Sequence, residues 1–160
     1  MFTETRMHDD DLNIVIIDDN QDEMPILKEA FSDVCIPVHL EWITSGRKAI
    51  AAFMQEPSLE TPDVILIDYR LAGMNGLEVI AVLSRNCRLA HIPVMIMSGS
   101  VDKALTESCT TSGLVAAIEK PTNYAGFLSL ATSLGLLVAK AKMEPSTRSM
   151  TAQAASRRTG

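Results

Sequence analysis

The sequence predicts an α/β fold, a five-stranded parallel sheet with helices on both faces. Three observations carry this. Five short apolar runs recur along the chain, at Leu12–Ile17, Pro37–Ile43, Val64–Ile67, Pro93–Met97 and Leu114–Ile118. The segments between them are long enough for crossover helices, and several carry apolar residues at three- and four-residue spacing. The first, third and fourth runs hold Val, Ile, Leu and Met without polar alternation, as strands covered on both faces do.

Taken in order, the first run, LNIVII, is a buried strand. Met24, Leu27, Phe31 and Val34 then trace a helical stripe. Pro25 is tolerated only in a first turn, so that helix is expected to start near Asp22 as its cap. The second run, PVHLEWI, alternates, as an edge strand with one wetter face does. Behind VILI, a second stripe is read at Leu77, Ile80, Ala81 and Ser84. Behind the last run, Phe127, Leu130, Leu134, Leu137 and Ala141 trace a third.

Residues 11–142 are expected to form one domain. Residues 1–10 read as a flexible acidic N-terminus. From Met143 the chain has no Leu, Ile, Val or Phe, and reads as a disordered tail with no output module. The 160 residues can bury a core without disulfides or a structural metal. Fourteen Lys and Arg against 20 Asp and Glu give a net charge of -6, which argues against bulk attraction to nucleic acid or to an anionic membrane. Cys35, Cys87 and Cys109 are odd in number and form no CxxC pair, so each reads as a small buried hydrophobe in a reducing compartment. The start of the chain lacks the pattern of a signal peptide. The apolar stretch AGFLSLATSLGLLVA is shorter than a membrane helix needs. A cytoplasmic protein is expected.

The polar residues that interrupt the strand pattern are not scattered. Asp18 and Asp19 follow the first strand, Asp68 the third, Ser98 the fourth and Lys120 the fifth. In open α/β sheets ligands bind at that edge, where strand order reverses. With the order 2-1-3-4-5, three carboxylates converge, and such crowding is stable when a cation sits among them. Oxygen ligands without His or Cys suit a hard ion such as Mg²⁺, with Mn²⁺ an acceptable substitute. A Lys and a Ser hydroxyl supply a charge and a donor for phosphoryl oxygens. A carboxylate can itself be the nucleophile, giving an aspartyl phosphate. Each piece alone has a bland reading as a cap, turn or loop. Their joint placement on one sheet edge favours a phosphoryl-accepting site.

IVIIDDN, VILIDYRLAGMNGLEVI, IPVMIMSGS and AAIEKP together resemble the receiver domain of two-component response regulators, over about residues 11–142. The resemblance implies a flavodoxin-like (βα)₅ fold of strand order 2-1-3-4-5. It implies Asp68 as phosphoacceptor, and Mg²⁺ held by Asp18, Asp19, Asp68 and the backbone carbonyl of Arg70. Ser98 would be the switch hydroxyl, Lys120 the phosphate-binding cation, and Gly99 a backbone contact to the phosphoryl group. Pro121 would follow a cis peptide, and Gly76 would permit a tight loop before the third helix. The implied partners are a sensor histidine kinase or histidine phosphotransfer protein and a protein target. A homodimer through the face of helix four, strand five and helix five is also implied. Such domains are switches rather than turnover enzymes.

Two features depart from the family pattern. Ala117 stands where Tyr or Phe is usual, so an aromatic rotamer switch cannot operate there. Ala72 stands where Pro is common. Arg70 and Ser100 flank the expected phosphoryl group, at positions that tune the access of water. An aspartate-nucleophile phosphatase would need an acid two residues after Asp68, where Arg70 stands. A nucleotide or flavin site would need a glycine cradle in place of Asp-Asp-Asn. A degenerate receiver acting as a phosphorylation-independent interaction module is the remaining alternative. His8, His39, His91 and Trp42 read as structural or surface groups.

Overall fold

The computed structural model describes residues 11–55, 60–114 and 116–143. Residues 1–10 and the tail from 144 lie outside the described residues, and His8 with them. The elements run β1 Leu12–Ile17, α1 Met24–Asp33, β2 Val38–Ile43, α2 Gly46–Gln55, β3 Val64–Asp68, β4 Arg70–Leu71 and β5 Met74–Asn75. They continue with α3 Gly76–Leu83, β6 Val94–Ser98, α4 Lys103–Thr111, β7 Ala116–Glu119 and α5 Tyr124–Met143, with short 3₁₀ turns at Gln21–Glu23 and Cys87–Leu89. The main sheet has the order β2-β1-β3-β6-β7 with every neighbouring pair parallel, the flavodoxin-like arrangement.

The unbroken apolar runs follow from this layering. Ile14 and Ile16 face one core with Leu27, Phe31, Phe127 and Leu134. Val15 and Ile17 face the other with Phe53, Val79, Leu83 and Leu105. In β3, Val64 and Leu66 join the first core, while Ile65 and Ile67 join the second. Side chains of a strand alternate between faces, so a strand covered on both has no polar position to spare. The alternating run β2 is an edge, with Leu40 and Ile43 buried and His39 exposed.

Several local expectations are corrected. The first helical segment is capped by Asn20, whose side chain accepts from the Asp22 N–H. A 3₁₀ turn precedes α1, so Asp22 lies inside the segment rather than at its cap. The buried stripe of α3 is Gly76, Val79, Ile80 and Leu83, leaving Ala81 and Ser84 exposed. In α5 the stripe runs Phe127, Leu130, Ala131, Leu134 and Val138. Ala141 is exposed, because a straight helix drifts away from a strict seven-residue repeat. Cys35 and Cys87 are exposed, and only Cys109 is buried. Cys35 takes a left-handed conformation, φ 55°, in the turn between α1 and β2. Burial pushes the Cys109 thiol pKa up.

At 20 residues and mean hydropathy 1.4, α5 meets the length and composition of a membrane-spanning helix, contrary to the shorter stretch read above. Its apolar stripe is nevertheless packed on the sheet beside α1. Across that α1–α5 contact the Tyr124 hydroxyl donates to Asp33 Oδ2 at 2.7 Å. The bond to this carboxylate, with smaller help from desolvation and the charge of Glu29, holds the phenol's pKa up to about 12. Ultraviolet titration is expected to show Tyr124 ionising near that value. In Asp33→Asn the midpoint should fall toward about 10, the ordinary phenol value.

α4 is built from KALTESCTT and buries only Leu105 and Cys109. Thr106, Ser108, Thr110 and Thr111 each donate a hydroxyl hydrogen bond to the carbonyl four residues back.

Candidate functional site

Every strand of the main sheet points its C-terminal end toward one edge, and the polar residues gather there. Asp18 follows β1 with its side chain fully buried, and Asp68 is the last residue of β3. One carboxylate oxygen from each of Asp18, Asp19 and Asp68 lies within 4.8 Å of the others. Lys120, one residue past β7, is aimed into the same group by the bond from its N–H to the Ser98 carbonyl, 2.7 Å. Its Nζ lies 2.5 Å from Asp18 Oδ2, 3.2 Å from Asp68 Oδ2 and 3.6 Å from Glu23 Oε2.

Backbone donors fix the two inner carboxylates. Asp18 Oδ1 accepts from the Asn20 N–H at 2.8 Å. Asp68 Oδ1 accepts from the Arg70 N–H at 3.0 Å. The Trp42 indole N–H donates to the Asp18 carbonyl at 2.9 Å, so this side chain on the edge strand anchors the acidic loop as well as packing. Each tie runs from a strand or helix end to a residue of the site, which is how a rigid sheet positions short loops.

The electrostatics are those of a buried acid held by one cation. Burial pushes the Asp18 carboxyl pKa up, and Asp68 adds to this, against the opposing bonds from Lys120 and Asn20. Glu23 is raised chiefly by burial too. Burial also works against the Lys120 ammonium. The hydrogen bond and charge of Asp18, then the charges of Asp68 and Glu23, outweigh it and hold the ammonium well above its ordinary pKa.

Ser98, buried at the end of β6, lies on the neighbouring wall. With Tyr69, Arg70, Ser100, Asp102 and Ser108 it lines a polar hollow of about 240 Å³ between β3 and α4. Gly99 follows it, exposed, with open space where a Cβ would stand. His39 and His91 are exposed and lie outside the acidic group.

Two features of the site were not read from the sequence, and a third differs from the reading. Glu23 is a third acid on Lys120, five residues past Asp18 in the acid-rich DDNQDE. β4 and β5 form a small antiparallel hairpin just past Asp68, with Gly73 at φ 81° in its turn. The Lys120–Pro121 bond, expected cis, is trans, since no cis peptide occurs among the described residues. Trans is the lower-energy isomer even before proline, and Lys120 reaches the carboxylates with it.

Gly76 acts differently from the loop role expected of it. It opens α3 without positive φ, and a Cβ there would stand 2.7 Å from the Asp68 carbonyl oxygen and 3.1 Å from Ile67 Cγ2. Its N–H donates to the Tyr69 carbonyl at 2.9 Å. The helix therefore starts in backbone contact with the strand end that carries Asp68. Gly76→Ala is expected to lose about 1–3 kcal/mol in urea unfolding.

The chain matches the family described as "Response regulator receiver domain" over residues 14–131. It belongs to this family.

Among relatives of this receiver domain, DivK of Brucella ovis is 30% identical over 118 residues, 72% of this chain and 89% of that protein. FilR2, a probable methanogenesis regulatory protein of Methanothrix harundinacea, is 27% identical over 94 residues, or 58% of this chain. The chain spans 61% of FilR2's length. In fold it is similar to the Mn(2+)-bound form of response regulator Rcp1, with a TM-score of 0.64 at 20% identity over 76% of this chain and 91% of that one. Receiver domains are signalling switches that bind a divalent cation in an acidic pocket, and this chain gathers Asp18, Asp19 and Asp68 into one acidic group at the sheet edge.

The donor set fits Mg²⁺. It is all carboxylate oxygen, the donor type that a hard divalent cation prefers, and the three oxygens are gathered within 4.8 Å of one another.

Proposed function

We propose that this receiver domain, residues 11–142, takes a phosphoryl group on Asp68 and signals by altered binding of a protein target or by passing the group on. One observation carries the reading. Asp68 presents a carboxylate that is held by a backbone N–H and an ammonium, beside two further acids suited to a divalent cation. The donor is a phospho-histidine on a sensor kinase or a phosphotransfer protein. An Asp68 carboxylate oxygen attacks phosphorus. The O–P bond forms as the N–P bond breaks, and the electron pair returns to the imidazole, which takes up a proton.

Asp18, Asp19, Asp68 and the Arg70 carbonyl would hold Mg²⁺, which when bound supplies positive charge for the phosphoryl oxygens. Lys120 then turns from its carboxylate partners toward the anion, with the Gly99 N–H as a further donor. Ser98, on the wall of the polar hollow, provides the hydroxyl that reports phosphorylation. The free thiols suit a cytoplasmic setting.

A second reading has one observation in its favour. Ala117 packs against the core that contains α4 and cannot exchange a rotamer, so the surface of α4 and β7 lacks an aromatic lever. The domain would then serve as an interaction module independent of phosphorylation.

Intact-mass spectrometry after incubation with acetyl phosphate and Mg²⁺ decides between them. One added phosphoryl group, absent when EDTA replaces Mg²⁺, is the expected result. No adduct, together with no Mg²⁺-dependent binding of beryllofluoride, would overturn the phosphoacceptor reading in favour of the module.

A further inference from the structure

The face of α5 turned away from the sheet carries a pattern of its own. Ala125, Ser129, Thr132, Leu136, Ala139 and Met143 are all exposed and recur at alternating spacings of four and three. That is the seam of a coiled coil, here without a charged residue over about 27 Å of helix. Leu136 is 67% exposed and Met143 80%, the largest values among the exposed large hydrophobic side chains. Of its two hydroxyl side chains, Ser129 and Thr132, the Thr132 hydroxyl is already satisfied, donating to the Leu128 carbonyl at 2.9 Å. The opposite stripe of the same helix is fully used by the core.

We propose that a second copy of this chain docks on this face, α5 against α5 and antiparallel. The seam is graded in size: Ala125, Ser129 and Thr132 are small, while Leu136 and Met143 are large. In a parallel pair Leu136 meets Leu136 and Met143 meets Met143, and Lys140 of each copy stands beside Lys140 of the other. One antiparallel register instead sets Leu136 against Thr132, Ala139 against Ser129 and Met143 against Ala125. Each large side chain then fills the space over a small one. The charges agree. The first three turns of α5 are uncharged, and Lys140 and Lys142 lie in its last turn. Antiparallel pairing brings Lys140 of each copy to the uncharged end of the other copy's helix, while Lys142 is already paired with Asp63 at 3.5 Å. Asp33, bonded to Tyr124, and Glu29 supply negative charge beside that end. The surface differs from the face of α4, β7 and α5, and it is independent of the chemistry at Asp68.

Sedimentation velocity of the full chain from about 1 to 200 μM tests the pairing. The wild type is expected to move from monomer to dimer across this range. Leu136→Glu should weaken the dimer at least about tenfold, since it places an unpaired charge in the seam. Its far-UV circular dichroism should be unchanged, because Leu136 makes no part of the core. The double variant Thr132→Lys/Leu136→Glu should recover dimerisation, as each Glu meets a Lys of the other copy only in the antiparallel register. A wild type that stays monomeric throughout, or a Leu136→Glu protein that dimerises as well as wild type, overturns the proposal. Failure of the double variant to recover overturns the antiparallel register.

Discussion

Asp68→Asn is expected to take up no phosphoryl group from acetyl phosphate and Mg²⁺, while the wild type takes up one. An amide nitrogen or carbonyl oxygen is far less nucleophilic than a carboxylate, and one charge leaves the acidic group of Asp18, Asp19 and Asp68. The fold should survive the change. The Asn oxygen can still accept from the Arg70 N–H, as Asp68 Oδ1 does. The loss is the second bond, where an amide NH₂ would face the Lys120 ammonium in place of Oδ2. Such a charge-assisted bond contributes about 1.5–3 kcal/mol. Removing Asp68's charge also relieves its repulsion with Asp18, so the net change should be smaller. Intact mass and a thermal melt on the same samples check both statements. An adduct of equal yield on the variant would move the acceptor to another residue.

Lys120→Met is expected to be the most damaging single change to stability. Asp18's side chain is fully buried, and Lys120 is its one cationic partner among the described residues. Removing one member of a buried pair leaves an uncompensated charge, with a typical cost of about 3–5 kcal/mol. Part of the Lys120 side chain is exposed, so about 3 kcal/mol is expected at neutral pH in EDTA. The pH dependence has a definite sign. The Lys120 pKa is raised on folding, so its contribution is complete below about 10.4, the ordinary lysine value, and fades only as pH rises through the higher folded value. The Asp18 pKa is raised already, and without Lys120 it climbs further. The variant's deficit is therefore greatest at neutral pH and shrinks as acid protonates Asp18. Urea unfolding at neutral and mildly acidic pH should show that convergence. A deficit equal at all pH values would assign the loss to packing alone. Mg²⁺ should restore part of it, because a ligand that binds only the folded state stabilises that state.

The sequence disclosed the parts of the fold that burial controls directly. β1, β3 and β6 carry apolar residues on both faces, and a run such as VILI admits few other readings. Asp18, Asp68 and Lys120 were legible as a group because strand ends in a parallel sheet share an edge, and the structure brings all three together. Glu23 was not, because its partner is nearly a hundred residues away and no local period marks it. The β4–β5 hairpin escaped because two-residue strands are shorter than any repeat. The faces of α3 and α5 slipped by a residue or two where helix drift and neighbouring helices, rather than apolar count, choose the buried side. Cys35 escaped for a similar reason. Cysteine is usually buried, but this one occupies a left-handed turn on the surface.

The hydroxyl-rich build of α4 has a consequence for how the molecule can respond. Side chains that bond the helix's own carbonyls compete with its backbone ladder and tend to bend it. β-branched threonines lower its intrinsic propensity, and only Leu105 and Cys109 of it are buried. α4 lines the same hollow as Arg70 through Ala104, Leu105 and Ser108. An event at the Ser98 end of β6 would meet α4 as the next helix along the chain. Composition therefore makes α4, beside the acidic group, the helix expected to yield first, over a sheet whose strands β1, β3 and β6 are packed on both faces.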